Sequence, residues 1–365
     1  MEPAAGTPIE SDVTVIGAGP AGLFAAFQLG LLGLSCQIVD ALPRPGGQCV
    51  ELYGDKLIYD IPGLPEISGQ DLAHRLIEQI APFGFPLHLG QTVTTLIPPV
   101  QAGDRFQLAT SAGLDLRPRA VIVAAGVGAF EPRPLQADGV DALSSPELLF
   151  EADHAALADP SRSILIIGGG EEAAWAAQEL VRRRPANSRP VSLLHRRPQL
   201  SVEPEVQRAL YELETTGALC IRVGMLLSVH NQLGSGVSAT IDLLDEAGNT
   251  QTFVFDHLLV CLGRSPRLGP IRDWGLDLVR KQLPVDSATL STNHPRLFAI
   301  GDIASYPGKK KLIVCAFHEA TLCAYAVKTS LDPASQEPPL LYTSSSTELQ
   351  KRLKRQAEQK YSESS

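Results

Sequence analysis

Two glycine clusters in this chain have the spacing of a dinucleotide-binding turn. The first is Gly17-Ala-Gly19-Pro-Ala-Gly22 and the second is Gly168-Gly-Gly170-Glu-Glu-Ala173. In such a turn one glycine permits the bend and one lets the backbone approach a pyrophosphate. The third small residue lets helix pack on strand, and the phosphates meet a helix N-terminus. A residue further along then reads the ribose. After the first cluster this is Asp40, at roughly the 20-residue spacing expected of an acid that binds ribose hydroxyls. After the second it is the run His195-Arg196-Arg197. An acid there would repel a 2′-phosphate, whereas a guanidinium pairs with one bidentately. The second site therefore reads as one for NADPH, with a solvated basic turn as the alternative. Two nucleotide sites in one chain point to two redox cofactors exchanging electrons.

The elements that must position these residues are legible in the apolar pattern. Residues 13–16 read as a strand entering the first turn, followed by a helix over 23–32 and a strand over 35–39. The second unit repeats this with a strand over 163–167, a helix over 171–181 and a strand over 191–194. Residues 120–126 and 257–261 read as further buried strands, each running into a glycine turn. Pro-rich residues 130–135 read as a linker, and a second crossing is expected near residues 291–298. The expected fold is α/β with two Rossmann-like dinucleotide-binding domains. One comprises residues 1–129 and 294–332, and the other, 130–293, is inserted into it. Residues 333–365 form a polar C-terminal extension, predicted helical over 348–359.

Composition sets outer bounds. At 365 residues the chain exceeds a single core, and 44% apolar with 19% charged residues fits a globular enzyme. No apolar run approaches the roughly 18 residues that span a bilayer. The N-terminal residues lack the basic start and apolar stretch of a signal peptide, so a cytoplasmic protein is expected, with no membrane partner. A net charge of −9 argues against nucleic acid as a partner. The six cysteines form neither CxxC nor CxxxxC, and the closest pair, Cys315 and Cys323, fits neither a dithiol relay nor zinc. They read as packed thiols, and no metal site is expected.

Further motifs carry a resemblance. Gly46-Gly47-Gln48, Ala124-Ala125-Gly126, the paired fingerprints and Leu297-Phe-Ala-Ile-Gly-Asp302 together resemble flavoproteins of thioredoxin-reductase type. Those enzymes carry CxxC after the second fingerprint, where this chain has Gly170-Glu-Glu-Ala-Ala-Trp175. The stretch from Gly46 through Tyr53 and Asp60 to Gly63 is instead similar to the ferredoxin/flavodoxin–NADP reductases built on that scaffold. So are Tyr306-Pro-Gly308-Lys309, Phe317-His-Glu-Ala320 and the tail after residue 333. This resemblance covers nearly the whole chain.

The resemblance implies a site, residue by residue. Gly17, Gly19, Pro20, Gly22 and Asp40 would hold the adenosine diphosphate of FAD. Asp302 would bind the ribityl chain, with Ala125 and Gly126 nearby, and Gln48 would lie beside the isoalloxazine. Asp60 belongs to the same flavin-side stretch. Tyr53 and Tyr342, the two catalytic candidates, would cover opposite faces of the flavin. Core packing for Tyr53 and a surface role for Tyr342 are the alternatives. A helix starting near 317–320, with Glu319 and Ala320, would aim its amides at the flavin and favour negative charge there. Gly168, Gly170, Ala173, Arg196 and Arg197 would hold NADP(H). Two departures stand out: Ser201 occupies the place of a further family arginine, and Glu171-Glu172 put negative charge beside the pyrophosphate.

The paired fingerprints and the resemblance together imply an FAD-dependent oxidoreductase moving electrons between NADPH and a one-electron carrier such as ferredoxin or flavodoxin, without a dithiol. The resemblance implies a homodimer. Lys309-Lys310-Lys311 and the tail bases Lys351, Arg352, Lys354 and Arg355 are candidates for docking an acidic carrier, better placed than Arg182-Arg183-Arg184. Two other readings stay open: a flavin-dependent disulfide reductase using Cys49, and a non-catalytic nucleotide-sensing flavoprotein.

Overall fold

Each glycine turn leaves the C-terminal end of a strand central to a parallel sheet. The computed structural model describes residues 7–101, 103–143, 148–150, 152, 154–185, 187–189, 191–231, 239–245, 247–332, 342–347 and 350–351. The chain divides into two units, Met1–Ala129 with Pro266–Ser365, and Phe130–Ser265.

In the first unit the strand Ile9–Ile16 lies between Cys36–Val39 and Asp115–Val123, parallel to both. Leu87–His88 extends the sheet beyond Cys36–Val39, and Leu297–Ala299 pairs in parallel with Asp115–Val123. Gln107–Thr110 and Val93–Ile97 add an antiparallel flank. Ile16 pairs with Val39 and Val123, and Val123 pairs with Ala299. The four strands therefore end level, and Gly17, Asp40, Ala124 and Ile300 all leave the same edge. That edge is where open α/β sheets bind ligands.

Alternate residues of a strand face opposite ways. Ala120 and Ile122 share a core with Val13, Val15, Leu23 and Phe298, beneath the helices Pro20–Leu31, Gly69–Ile80 and Ile313–Leu331. Val121 and Val123 face the other way, onto Leu268, Ile271, Trp274 and Leu297. The helix Pro20–Leu31 is apolar nearly all round because it is sandwiched between sheet and last helix, where Phe24 meets Phe317 with ring centroids 4.9 Å apart.

Those same contacts correct the expected boundary. Leu268, Ile271 and Trp274 cover the second face of the first sheet, so the chain has already returned to the first unit at Ser265/Pro266 and not after residue 293. The signal near residues 291–298 marks a strand rejoining its sheet. Residues expected as a linker partly form a strand: Ala129–Pro132 pairs with Arg264–Arg267.

The second unit has five parallel strands in the order Leu148–Leu149, His257–Val260, Ile164–Ile167, Val191–His195, Leu219–Val223. The helices Glu171–Arg183 and Pro204–Thr215 contribute Ala173, Ala177, Leu180 and Leu210 to the core on one face. An antiparallel sheet of Met225–Asn231, Ala239–Leu244 and Thr250–Phe255 contributes to the other. No helix among the described residues is long and apolar enough to cross a membrane. The tail helix expected over 348–359 falls almost wholly outside the described residues.

Candidate functional site

The first glycine turn is built as its spacing requires. Gly17 has φ 115°, and a Cβ there would lie 2.3 Å from the Ala124 carbonyl oxygen; one on Gly22 would lie 1.9 Å from that of Gly17. Pro20 opens the helix at a position whose N–H has no helical partner, and no side chain caps the turn before it. The N-terminal amides are thus left to an anion. Asp40 faces the same turn. Its Oδ2 accepts from the Ala18 N–H at 2.5 Å and its Oδ1 from the Leu42 N–H at 2.8 Å. Burial pushes this carboxyl above the ordinary value and the two N–H groups offset part of that shift. A carboxylate has about four acceptor positions, so capacity remains for a ribose hydroxyl.

Further along the edge, residues from three distant segments meet. Gln48 opens a short helix, Gln48–Glu51, and its Nε2 lies 3.5 Å from Asp302 Oδ2. A Cβ on Gly126, after Ala125, would lie 3.0 Å from the same Nε2. Tyr53 is half-buried with its hydroxyl 3.6 Å from Cys49 Sγ. Burial, the Cys49 contact and the charges of Asp302 and Asp60 hold the Tyr53 phenol above its usual range. Asp60 itself is exposed. This cluster can contact an extended ligand along one side, with an amide, a carboxylate and a phenol at one end and uncapped helix amides at the other.

Glu319, Ala320 and Lys309 sit elsewhere than the sequence suggested. The last helix begins at Ile313, capped by Leu312, so Glu319 and Ala320 lie in its second turn and its free amides belong to earlier residues. Glu319 is 1% exposed and Ala320 fully buried. The Glu319 carboxylate turns onto Gly301 N, Tyr306 and Lys309, so Lys309 is a buried partner and not a docking base. Lys310 and Lys311 are exposed. Tyr342 is 67% exposed, in a turn where its carbonyl accepts from the Ser345 and Ser346 N–H groups. Gln282 was missed altogether: its amide donates to the carbonyls of Asp302 and Ala304. Nothing in its local sequence marks it, since a side chain reaching backbone leaves no spacing pattern.

In the second unit the helix Glu171–Arg183 also lacks a side-chain cap, and the space beside Gly170 is open. Gly168 and Ala173 let that helix close on the strand: a Cβ on Gly168 would lie 2.8 Å from that of Ala173. Arg196 and Arg197 are exposed beyond His195, whose Nδ1 lies 2.9 Å from the Arg197 carbonyl oxygen. The loop then returns across the glycine turn, where the Ser201 N–H donates to the Gly169 carbonyl at 2.6 Å. Glu171 Oε1 accepts from the Glu203 N–H at 3.3 Å, which turns its charge toward that loop. Arg182 and Arg183 are both engaged by Glu179, and Arg184 is buried against the carbonyls of Asp159, Pro160 and Arg162.

All six cysteines are free, and burial pushes the Cys49 thiol up, which suppresses the thiolate a disulfide reductase would need. The family model for pyridine nucleotide-disulphide oxidoreductases matches residues 11–320. The chain belongs to the pyridine nucleotide-disulphide oxidoreductase family. Within it, a ferredoxin–NADP reductase of Acidovorax sp. (strain JS42) is 47% identical over 353 residues, covering 96% of this chain and 97% of that protein. Another, from Leptothrix cholodnii, is 46% identical over 346 residues, with 94% and 91% covered. Among solved structures, the thioredoxin reductase of Lactococcus lactis superposes with a TM-score of 0.55 at 22% identity, covering 88% of this chain and 99% of that one. The bacillithiol disulfide reductase Bdr of Staphylococcus aureus gives 0.57 at 16% identity, with 90% and 100% covered. These likenesses fix the two-Rossmann fold.

Proposed function

We propose that the chain is a ferredoxin/flavodoxin–NADP reductase, with FAD held by the first unit and NADP(H) by the second. The observation that carries the reading is the meeting of Gln48, Gly126 and Asp302 on the sheet edge that also bears the uncapped glycine turn and Asp40. The near-full-length likeness to proteins named ferredoxin–NADP reductase supports the choice of reaction. FAD when bound supplies the exchange of a nicotinamide hydride for single electrons.

The chain's own residues bind and align. Amides of the turn and helix after Gly17 would receive the pyrophosphate, and Asp40 would take the adenosine ribose. Asp302 would take the ribityl chain and Gln48 the ring edge, while Tyr53 would lie against one ring face and exclude water from it. Tyr342 would cover the other face and would have to move aside for the nicotinamide. Arg196 and Arg197 read the 2′-phosphate. No acid, base or nucleophile is required, so catalysis rests on alignment. The acidic carrier docks on local positive charge, for which Lys310 and Lys311 are exposed candidates. The enzyme works in the cytoplasm as a homodimer.

Anaerobic stopped-flow mixing with NADPH or NADH, then with oxidised ferredoxin, tests the reading. Fast bleaching by NADPH over NADH, followed by reoxidation by the carrier, is the expected result. Bound flavin that neither coenzyme bleaches would refute it, as would a protein that is reduced but never reoxidised by ferredoxin or flavodoxin.

A further inference from the structure

The turn Gly301–Ile303, which carries Asp302, is gripped from two sides by side chains that lie outside the cluster itself. On one side stands Glu319, 1% exposed. Its Oε2 accepts from the Gly301 N–H at 2.7 Å, and its Oε1 accepts from the Tyr306 hydroxyl at 2.7 Å and from the Lys309 ammonium. Lys309 is withdrawn from solvent to 8% side-chain exposure to make that contact. A buried ion pair of this kind carries a desolvation cost that its Coulomb attraction need not repay.

On the other side stands Gln282, whose Nε2 donates to the carbonyls of Asp302 at 2.9 Å and Ala304 at 3.1 Å. Gln282 is delivered there by a two-residue hairpin. The N–H of Val279 bonds the carbonyl of Gln282 at 2.8 Å, and the reverse bond is 3.0 Å. The residues between them, Arg280 and Lys281, have φ of 50° and 65°, the left-handed region, although neither is glycine. Two side-chain residues held left-handed store backbone strain, which persists only where the surroundings repay it.

Two separate costs, a buried charge pair and a strained hairpin, thus converge on the backbone of one short turn. Glu319 fixes the amide before Asp302 and Gln282 fixes the carbonyl of Asp302. Between them the Asp302 side chain has its starting point set, and it projects toward Gln48. We propose that Glu319 and Gln282 are positioning residues of the flavin site, acting through Asp302 by holding its backbone at the angle the ribityl chain requires. This rests on the reading of the first unit as the FAD-binding one.

The test is a double-mutant cycle read as FAD affinity of the apoprotein, by flavin fluorescence, with the visible spectrum of the bound flavin as a second readout. Gln282→Ala is the primary variant, because its side chain is only partly buried and its loss leaves the hydrophobic core intact. It is expected to weaken FAD about tenfold, the scale of one to two lost hydrogen bonds, and to alter the bound-flavin spectrum. In an Asp302→Ala background the same change should have little further effect, since residues acting through one another are not additive. Glu319→Gln, which keeps an acceptor for Gly301, should retain FAD better than Glu319→Ala when each is combined with Lys309→Met. Equal losses with and without Asp302, or a lowered melting temperature with unchanged affinity and spectrum, would overturn the proposal. A wild-type apoprotein that takes up no FAD would refute the reading of the first unit, and this one with it.

Discussion

Gln48 and Asp302, 254 positions apart in the chain, bring an amide and a carboxylate to 3.5 Å across the edge of one sheet. That distance is the outer limit of a hydrogen bond, so the contact is easily exchanged for one to a ligand. Gln48 is aimed by the preceding turn, where Gly47 has φ 55°. Gln48→Ala is expected to slow flavin reduction by NADPH about fivefold, the worth of one hydrogen bond near 1 kcal/mol, and to shift the visible band. Stopped-flow traces and spectra indistinguishable from wild type would show that the amide does not face the ring.

Asp40 does two jobs from one carboxylate. It accepts from the N–H groups of Ala18 and Leu42, and so ties the strand end to the glycine turn. Asp40→Ala leaves both donors without their partner, at a cost of about 1–3 kcal/mol, and would remove the proposed ribose acceptor. The variant should melt several degrees lower and bind FAD at least tenfold more weakly. Isothermal titration of apoprotein checks the second effect, and Asp40→Asn, which keeps one acceptor oxygen, should recover part of it.

How much of the fold and site was readable depends on which residues speak locally. The fingerprints fixed both strand–turn–helix units because Gly17 and Gly22 are demanded by backbone approach within one turn of chain. Gln48, Gly126 and Asp302 were legible through their motifs, although only the level strand ends bring them together. Lys309 misled because charge runs give no sign of which member is buried, and Glu319, its partner, lies ten residues on in the next helix. The second crossing was misplaced because Leu268, Ile271 and Trp274 form no regular element of strand or α-helix period. Gln282 could not be seen, since its partners are carbonyls that every residue has.

Ser201 marks a place where the nucleotide site can be improved. Its N–H bonds the Gly169 carbonyl, a contact any residue but proline can make, and its side chain is exposed beside the loop bearing Arg196 and Arg197. Ser201→Arg should therefore keep the fold and lower the KM for NADPH several-fold, leaving that for NADH unchanged. Arg196→Ala with Arg197→Ala should do the opposite, raising the NADPH KM about tenfold or more. Steady-state assays with both coenzymes decide, and parallel changes for NADPH and NADH would mean that the arginines do not read the phosphate.

The basic run 309–311 separates into roles that mutation can distinguish. Charge reversal at exposed Lys310 and Lys311 should lower the carrier on-rate by about tenfold at low salt and much less at high salt, with flavin affinity unchanged. Reversal at Lys309 should instead disturb Glu319 and reduce flavin content. Carrier kinetics insensitive to Lys310 and Lys311 at low ionic strength would place docking elsewhere.

The second unit holds a carboxylate whose titration should be visible in stability. Asp256, 4% exposed, accepts from the Ser163 N–H at 2.7 Å, the Ser163 hydroxyl at 2.8 Å and Arg162 at 3.0 Å. Burial raises its pKa, but the Ser163 and Arg162 bonds outweigh it and leave the group below the ordinary value. The anion is therefore the form the fold prefers. Its contribution is fully present above the unfolded value of about 3.9 and is lost as pH falls through the lower folded value. These bonds also set the register of Ile164 against His257, where the two strands meet. Asp256→Asn should cost about 1–3 kcal/mol at pH 7, read as a melting shift of several degrees. The gap between wild type and variant should narrow as the pH is taken from 5 toward about 3. A gap that stays constant over that range would mean that Asp256 contributes by shape and not by charge.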